Sequence, residues 1–160
     1  MATYTVDALD EVLSFEGVPA HSAGAPMPQI LANDVGPVLA YEVAPGGEQY
    51  AIVKFIGPRA HYFGSPSDET IRGHPLWELG LRPYGVFEVR KSSWIRALER
   101  MNRVHPNHNP SRFAALRHFV FTFHDNTFEC VANGAVLAAK FTNKVETVKD
   151  LPGLMAGYLS

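Results

Sequence analysis

Residues 116–133, LRHFVFTFHDNTFECVAN, alternate aromatic and polar side chains over two short runs that flank a polar pair. Successive side chains of a β-strand point to opposite faces of its sheet, so this alternation is typical of strands. The pattern predicts two strands, at 117–124 and 127–133, joined by Asp125 and Asn126 as a two-residue hairpin turn. Such a hairpin has one apolar face and one polar face.

The apolar face of this hairpin is predicted to lie in the hydrophobic core. With the turn at Asp125 and Asn126, three cross-strand pairs share this face: Phe123 with Phe128, Phe121 with Cys130, and Phe119 with Ala132. Burial of these side chains at about 25 cal/mol per Å² contributes several kcal/mol to stability. A thiol on this face is a buried apolar group and a poor nucleophile, so no catalytic role is predicted for the cysteine.

The opposite face collects the polar residues of the hairpin. It carries His118, Val120, Thr122 and His124 on one strand and Thr127, Glu129 and Val131 on the other. The assumed turn sets Thr122 opposite Glu129 and brings His124 within diagonal reach of the same carboxylate. We expect this face to be exposed to water or to form the wall of a polar cleft.

The rest of the chain adds further short strands and one main helix. Residues 38–43 and 50–57 flank the turn sequence APGGEQ and predict a hairpin, and 84–89 and 135–141 predict two more strands. A helix over 92–104, capped by Ser92 or Ser93, has an apolar stripe at helical spacing. Short helices are predicted at 7–15 and 150–159, and long loops at 17–37 and 58–83.

These elements predict an α+β fold with a twisted, mostly antiparallel sheet of about five or six strands. The 92–104 helix packs on one face of that sheet. A curved partial barrel is the alternative, because a sheet with many glycines can coil. The length of 160 residues fits a single domain spanning 1–160.

Composition restricts the class of protein. A single cysteine excludes an internal disulfide, and the N-terminal stretch lacks the basic start and apolar segment of a secretory signal. No window approaches the ~20 apolar residues of a membrane-spanning helix. We therefore expect a soluble protein of the reducing cytosol, with no membrane association.

The polar face of the hairpin is the first candidate for chemistry. His124 is predicted as a general base that Glu129 orients, with Thr122 beside them. His74 or Arg72, from the 58–83 loop, would then contact the substrate. The alternative interpretation is an ordinary polar sheet face with cross-strand hydrogen bonds.

The loop over 61–77 is the second candidate. Asp68, Glu69, Arg72 and His74 supply both charge signs within a short span. This composition suits an active-site lid. A structural Ω-loop held by Phe63 and Trp77 is the other interpretation of the same composition, and we favour it.

The third candidate is a basic helix face. Residues 1–89 hold 4 basic and 11 acidic residues, whereas residues 90–117 hold 7 basic and 1 acidic residue. Arg96, Arg100 and Arg103 follow helical spacing and form one stripe that suits phosphates or an acidic protein partner, and His118 is added as a ligand-binding candidate. The alternative is a solvated face partly neutralised by the acidic first half of the chain. The net charge of −2 and the absence of nucleic-acid-binding motifs argue against nucleic acid.

No cofactor or metal is predicted, and a metal site built from one strand histidine and one loop histidine is kept as a third alternative. The chain lacks a phosphate-binding loop, a dinucleotide fingerprint and a metal-binding histidine motif. His118 and His124 lie ~20 Å apart along an extended strand, which is too far to share one ion. The leading functional prediction is a small cytosolic binding or accessory module for a protein partner or small anionic ligand. The alternative is a cofactor-free enzyme that uses a His–Glu pair on the polar face of the 117–133 hairpin.

Overall fold

The structure is a computed structural model that describes residues 4–142, 144 and 149–159. Within these residues, antiparallel strands form two sheets. The strands are β1 (Glu11–Ser14), β2 (Gln29–Ala32), β3 (Pro37–Glu42), β4 (Gln49–Ile56), β5 (Ala60–Gly64), β6 (Gly85–Arg90), β7 (Arg117–Thr122), β8 (Thr127–Ala132) and β9 (Gly134–Thr142). The helices are α1 (Ser93–Asn102), α2 (Pro110–Ala114) and α3 (Leu151–Ala156), with 3-10 turns at Ile71–Gly73 and Trp77–Leu79.

The predicted α+β class with one main helix is confirmed. A five-stranded sheet has the order β1-β6-β7-β8-β5, and a four-stranded sheet has the order β2-β3-β4-β9. The strands β1, β2 and β5, each four or five residues long, fall in segments predicted as helix or loop. The helix predicted over 7–15 is wrong, because Val12 pairs with Val89 in β6 and this sheet contact outweighs local helical spacing.

The two sheets are joined at one corner, where β4 continues into β5 and β8 continues into β9. Across this corner the Arg59 amide donates to the Val131 carbonyl at 2.8 Å, and the Asn133 amide donates to the Ile56 carbonyl at 2.7 Å. Gly57 bends the chain with φ +58, and a Cβ there would lie 2.3 Å from the Asn133 side-chain oxygen. Glycine is therefore required at this position.

The main core lies between the two sheets. Phe119, Phe121 and Phe128 from the five-stranded sheet are fully buried against side chains of the four-stranded sheet such as Tyr41 and Phe55. Cys130 belongs to the same cluster, and burial raises the pKa of its thiol. The prediction that the aromatic face of the hairpin forms the core is confirmed.

The hairpin register differs from the predicted one. Phe121 pairs with Phe128, Thr122 pairs with Thr127, and the Phe123 amide donates to the Asn126 carbonyl, so the turn is centred on His124 and Asp125. Each residue pairs with a residue two positions away from its predicted partner. A shift of two positions leaves every side chain on its predicted face. The predicted pairing of Thr122 with Glu129 is wrong, since Val120 lies opposite that residue.

The polar face of the hairpin is covered by a second layer. A second cluster of buried side chains packs over it, drawn from the N-terminal segment, the 3-10 turns, α1 and α2; it includes Tyr4, Ile71, Leu76, Leu81, Trp94 and Phe113. His118, Thr122 and Glu129 are all buried beneath it. The expectation that this face is wet or lines a polar cleft is therefore wrong.

Helices complete both outer layers. Ser92 caps α1, and its hydroxyl accepts a hydrogen bond from the Ile95 amide at 3.3 Å, as the capping prediction required. On the far side, α3 contacts β2 and β3, and its Leu151 and Met155 are buried in one cluster with side chains of β3 and β4. Among the helices in the described part of the chain, none combines the length and apolar character that crossing a bilayer requires.

Truncation of Phe121 tests whether the space between the sheets holds the fold together. We expect Phe121→Ala to lower the free energy of unfolding by about 3–5 kcal/mol, because the ring is fully buried and leaves a cavity. The matched control is Phe63→Ala, whose ring is 39% exposed and should cost far less. Urea denaturation measures both, and equal losses would contradict the proposed core.

Candidate functional site

A buried carboxylate lies at the centre of the second layer. Glu129 Oε1 accepts hydrogen bonds from the Tyr4 hydroxyl at 2.5 Å and from His118 Nε2 at 2.8 Å. The other oxygen, Oε2, accepts a hydrogen bond from His74 Nε2 at 3.0 Å. Both histidine side chains are 0% exposed and the Glu129 side chain is 1% exposed, so the network is closed to bulk water.

Neighbouring groups orient both imidazoles, and a backbone amide fixes the tautomer of His74. The Leu76 amide donates to His74 Nδ1 at 3.0 Å, so the ring proton of His74 lies on Nε2. Ser92 Oγ lies 2.8 Å from His118 Nδ1 and already accepts from the Ile95 amide. His118 thus bridges the Ser92 hydroxyl through Nδ1 and the Glu129 carboxylate through Nε2.

These bonds keep Glu129 ionised. Burial raises the pKa of the Glu129 carboxyl, but the hydrogen bonds from His118 and His74 outweigh burial and lower the pKa to about 2. Burial and the adjacent carboxylate raise the pKa of Tyr4, so the phenol keeps its proton. The network thus stabilises one buried negative charge with three directed donors.

Ser92, His118 and Glu129 form a continuous hydroxyl–imidazole–carboxylate chain. Ser92 lies at the turn between β6 and α1, directly after Lys91, which adopts φ +53. A base within hydrogen-bond reach of a hydroxyl, itself oriented by a third group, is the arrangement that activates a nucleophile. Ser92 is 2% exposed, and it is one of the residues that line a surface cavity between α1 and α2.

Two cavities adjoin Phe113, and we name them together the α1–α2 groove. The first has a volume of about 330 Å³, and Lys91, Ser92, Ile95, Arg96, Glu99, Pro110, Ala114 and Leu116 line it with Phe113. The second has a volume of about 460 Å³, and Arg59, Leu98, Met101, Asn102, Val104, His105 and Pro106 line it with Phe113. Neither cavity is lined by His124 or Glu129.

His124 lies apart from Glu129, so their predicted pairing is wrong. Because the turn is centred on His124, its ring reaches the 58–83 loop, where Nδ1 lies 2.7 Å from Asp68 Oδ2. The Tyr84 hydroxyl also donates to Asp68, and Tyr84 adopts φ +60. These bonds from Tyr84 and His124 lower the pKa of Asp68. Asp68 is thus a partner of His124, a contact that sequence spacing alone did not indicate.

Thr122 makes hydrogen bonds to the backbone and does not contact Glu129. Its hydroxyl donates to the Arg82 carbonyl at 2.8 Å and accepts from the Gly85 amide at 2.9 Å. Arg72 lies on the exposed surface near the Trp77 ring, with 5.9 Å from its guanidinium carbon to the ring centre. His74, from the same loop as Arg72, points into the interior and reaches Glu129.

The basic stripe of α1 is largely neutralised. Arg96 makes a bidentate ion pair with Asp7, at 2.7 and 2.8 Å, and lies 3.6 Å from Asp10. Arg103 pairs with Glu99 at 2.8 Å. Among the described residues, Arg100 forms no salt bridge. For Arg96, the alternative prediction of neutralisation by the acidic first half of the chain is confirmed.

The histidines of the 105–108 turn belong to local contacts. His108 bonds to Asn102 at 2.8 Å and to Glu99 at 3.1 Å, while His105 accepts from the Asn107 amide. Across residues 4–142, 144 and 149–159, no group of three or more His, Cys, Asp or Glu is arranged to hold a metal ion.

Sequence reasoning missed two members of the buried network. Tyr4 lies in an N-terminal segment without periodicity, and Ser92 was assigned only as a helix cap. The signal for Ser92 was its place immediately before α1, near a strand that carries histidine.

Comparison of the chain with protein-family models, curated proteins and solved structures found no match.

Replacement of Glu129 by Gln tests the charge at the centre of this network. We expect Glu129→Gln to lose about 3 kcal/mol of stability near neutral pH, since a neutral amide cannot accept from all three donors. The folded-state pKa of about 2 lies below the ordinary value of 4.5. The stabilisation is therefore present above that ordinary value and is lost as pH falls toward the folded-state pKa.

The measurement is the difference in unfolding free energy between wild type and Glu129→Gln at a series of pH values. Other carboxylates with a lowered pKa, such as Asp7 and Glu88, are common to both proteins and cancel in the difference. The difference should shrink as pH falls below the ordinary carboxyl pKa. A difference that stays constant down to the folded-state pKa would show that the Glu129 charge is not stabilised.

Proposed function

We propose that this protein is a small binding module that holds an acidic, amphipathic segment of a protein partner in the α1–α2 groove. The observation that carries the proposal is the pair of cavities on either side of Phe113, which combine an apolar floor with a cationic rim. Ligand sites are typically concave and apolar with a few placed polar groups. A single cysteine, buried in the core, supports a reducing compartment such as the cytosol.

The apolar part of the groove is unusually open to solvent. Val104 is 92% exposed and Met101 is 68% exposed, and both line the larger cavity. Such side chains at a concave site favour contact with apolar groups of a partner, and Met adapts to different shapes. Single exposed apolar residues are common on proteins, so it is their position in a groove that supports binding.

The positive charges around the groove favour an acidic partner. Lys91 and Arg59 each line one cavity and form no salt bridge within the described ranges. Arg100 and Arg112 lie on α1 and α2, are exposed and are likewise without a salt bridge there. A surface with unneutralised cations attracts negative partners and speeds their association. Arg96 and Arg103 contribute less, because carboxylates of the same chain already bind them.

Charge reversal at both cavities tests the proposal. A fluorescein-labelled amphipathic peptide of Glu and Leu is the probe, and anisotropy measures its binding. The double variant Arg59→Glu with Lys91→Glu should weaken binding by about tenfold, because each exposed ion pair is worth up to about 1 kcal/mol. A matched control is Arg72→Glu, an exposed arginine outside the groove, which should leave binding unchanged.

The same peptide with Gln in place of Glu separates charge from apolar contact. It should bind more weakly than the acidic peptide, and added salt should reduce that preference. Equal binding of both peptides, or equal loss in Arg72→Glu and the double variant, would contradict a cationic groove. Arg96→Glu is unsuitable here, since it would break the bonds to Asp7 and Asp10 that tie the N-terminal segment to α1.

A second candidate function is a cofactor-free hydrolase in which Ser92 is the nucleophile. It is supported by the chain of bonds from the Ser92 hydroxyl to His118 and from His118 to Glu129, each 2.8 Å long. This candidate keeps the predicted His–Glu pair on the polar face of the hairpin but assigns the base to His118 in place of His124. In it, Ser92 Oγ attacks the carbonyl carbon of an ester and passes its proton to His118 Nδ1. The C–O bond of the ester breaks, His118 gives the proton to the departing alcohol, and water then hydrolyses the acyl-enzyme.

A fluorophosphonate probe tests this second candidate. Ser92 Oγ would bond to phosphorus, fluoride would leave, and the hydroxyl proton would pass to His118. Intact mass and peptide mapping should show the adduct on Ser92 in wild type and in Ser93→Ala, and no adduct in Ser92→Ala. Circular dichroism confirms folding, since loss of the cap costs about 1 kcal/mol. An unlabelled wild type, or labelling that survives in Ser92→Ala, would eliminate the hydrolase.

A further inference from the structure

The strand β9 forms one edge of the four-stranded sheet. It pairs with β4 on one side, and no strand pairs with its other side among the described residues. It has nine residues, whereas the edge strands β1, β2 and β5 have four or five. A long edge presents a row of backbone amides and carbonyls that can pair with another chain.

The usual protection against pairing is weak on this edge. The strand sequence GAVLAAKFT contains no proline and a single charge, Lys140. Val136 and Leu137 are each 41% exposed, and the neighbouring Ile56 on β4 is 49% exposed. One irregularity interrupts the pairing with β4 between Ile52 and Val53, and it leaves four paired residues of β9 on each side. The segment with the exposed apolar side chains therefore stays regular.

We propose that β9 pairs with β9 of a second copy of this chain, antiparallel across a two-fold axis. The four-stranded sheets of the two copies would then form one continuous eight-stranded sheet. This proposal concerns a surface separate from the α1–α2 groove and does not rest on the proposed function.

The absence of like charges near the centre of β9 favours a second copy as the occupant. In a two-fold arrangement the same patch meets itself, so it must carry no charge that would face its equal. Val136 and Leu137 satisfy this condition, since both are apolar and their neighbours in β9 are alanines. Lys140 lies three residues beyond Leu137, so an axis near Val136 and Leu137 keeps the two lysines apart. Cross-strand pairs of apolar side chains stabilise such an antiparallel ladder.

Light scattering after size-exclusion chromatography, over a series of protein concentrations, tests the proposal. Wild type should shift toward twice the monomer mass as concentration rises. The variant Val136→Lys with Leu137→Lys should weaken self-association by at least about tenfold, since like charges would face each other across the axis. Hydrogen exchange should show β9 amides that gain protection with concentration in wild type alone.

The control is Val104→Lys, which adds one lysine in place of an exposed valine in the α1–α2 groove. It should leave self-association unchanged. A monomeric wild type at all concentrations would overturn the β9 pairing without affecting the groove. Loss of the dimer in Val104→Lys but not in the β9 variant would also overturn it, and would assign self-association to the groove. Circular dichroism and urea denaturation verify that each variant is folded.

Discussion

The carboxylate of Glu129 is the constraint on which the second layer of the structure depends. An ion buried without partners is strongly unfavourable, so its position is tolerated only where donors surround it. The donors come from distant parts of the chain: Tyr4 from the N-terminal segment, His74 from the 58–83 loop and His118 from the neighbouring strand. Ser92 extends the network to the start of α1. One charge thus ties three segments outside the sheet to its central strands.

This constraint also decides which of the histidines reach solvent. The histidines that the sequence indicated as candidates make hydrogen bonds in two different environments. His74 and His118 are buried and hydrogen-bonded on both ring nitrogens, whereas His124 is held near the surface by Asp68. The acidic partner that we propose would bind instead in the α1–α2 groove, with its apolar floor and its cations without a salt bridge among the described residues. Ser92 lies where the buried network reaches that surface.

Most charged side chains of α1 are likewise paired with opposite charges of the same chain. The basic stripe of α1 suggested an anion-binding face when only charge and spacing were considered. In the folded protein the acidic N-terminal segment lies against α1. Arg96 forms an ion pair with Asp7 and lies 3.6 Å from Asp10. Charges far apart in sequence therefore cancel in space, and the cations left for a partner are those that form no such pair. Net charge of a segment is a poor guide to an exposed surface for this reason.

The sequence by itself determined the strand period, the aromatic core face, the cap of α1 and the antiparallel class, because these depend on local spacing and local hydrogen bonds. Tertiary structure decided the hairpin register, the three short edge strands and the partners of each histidine. In the observed register, His124 lies in the turn and bonds to Asp68 of the 58–83 loop, 56 residues away. Contacts between segments distant in sequence leave no periodic trace in either segment. Only the folded chain could show that the polar face of the hairpin is an interior surface built around one charge.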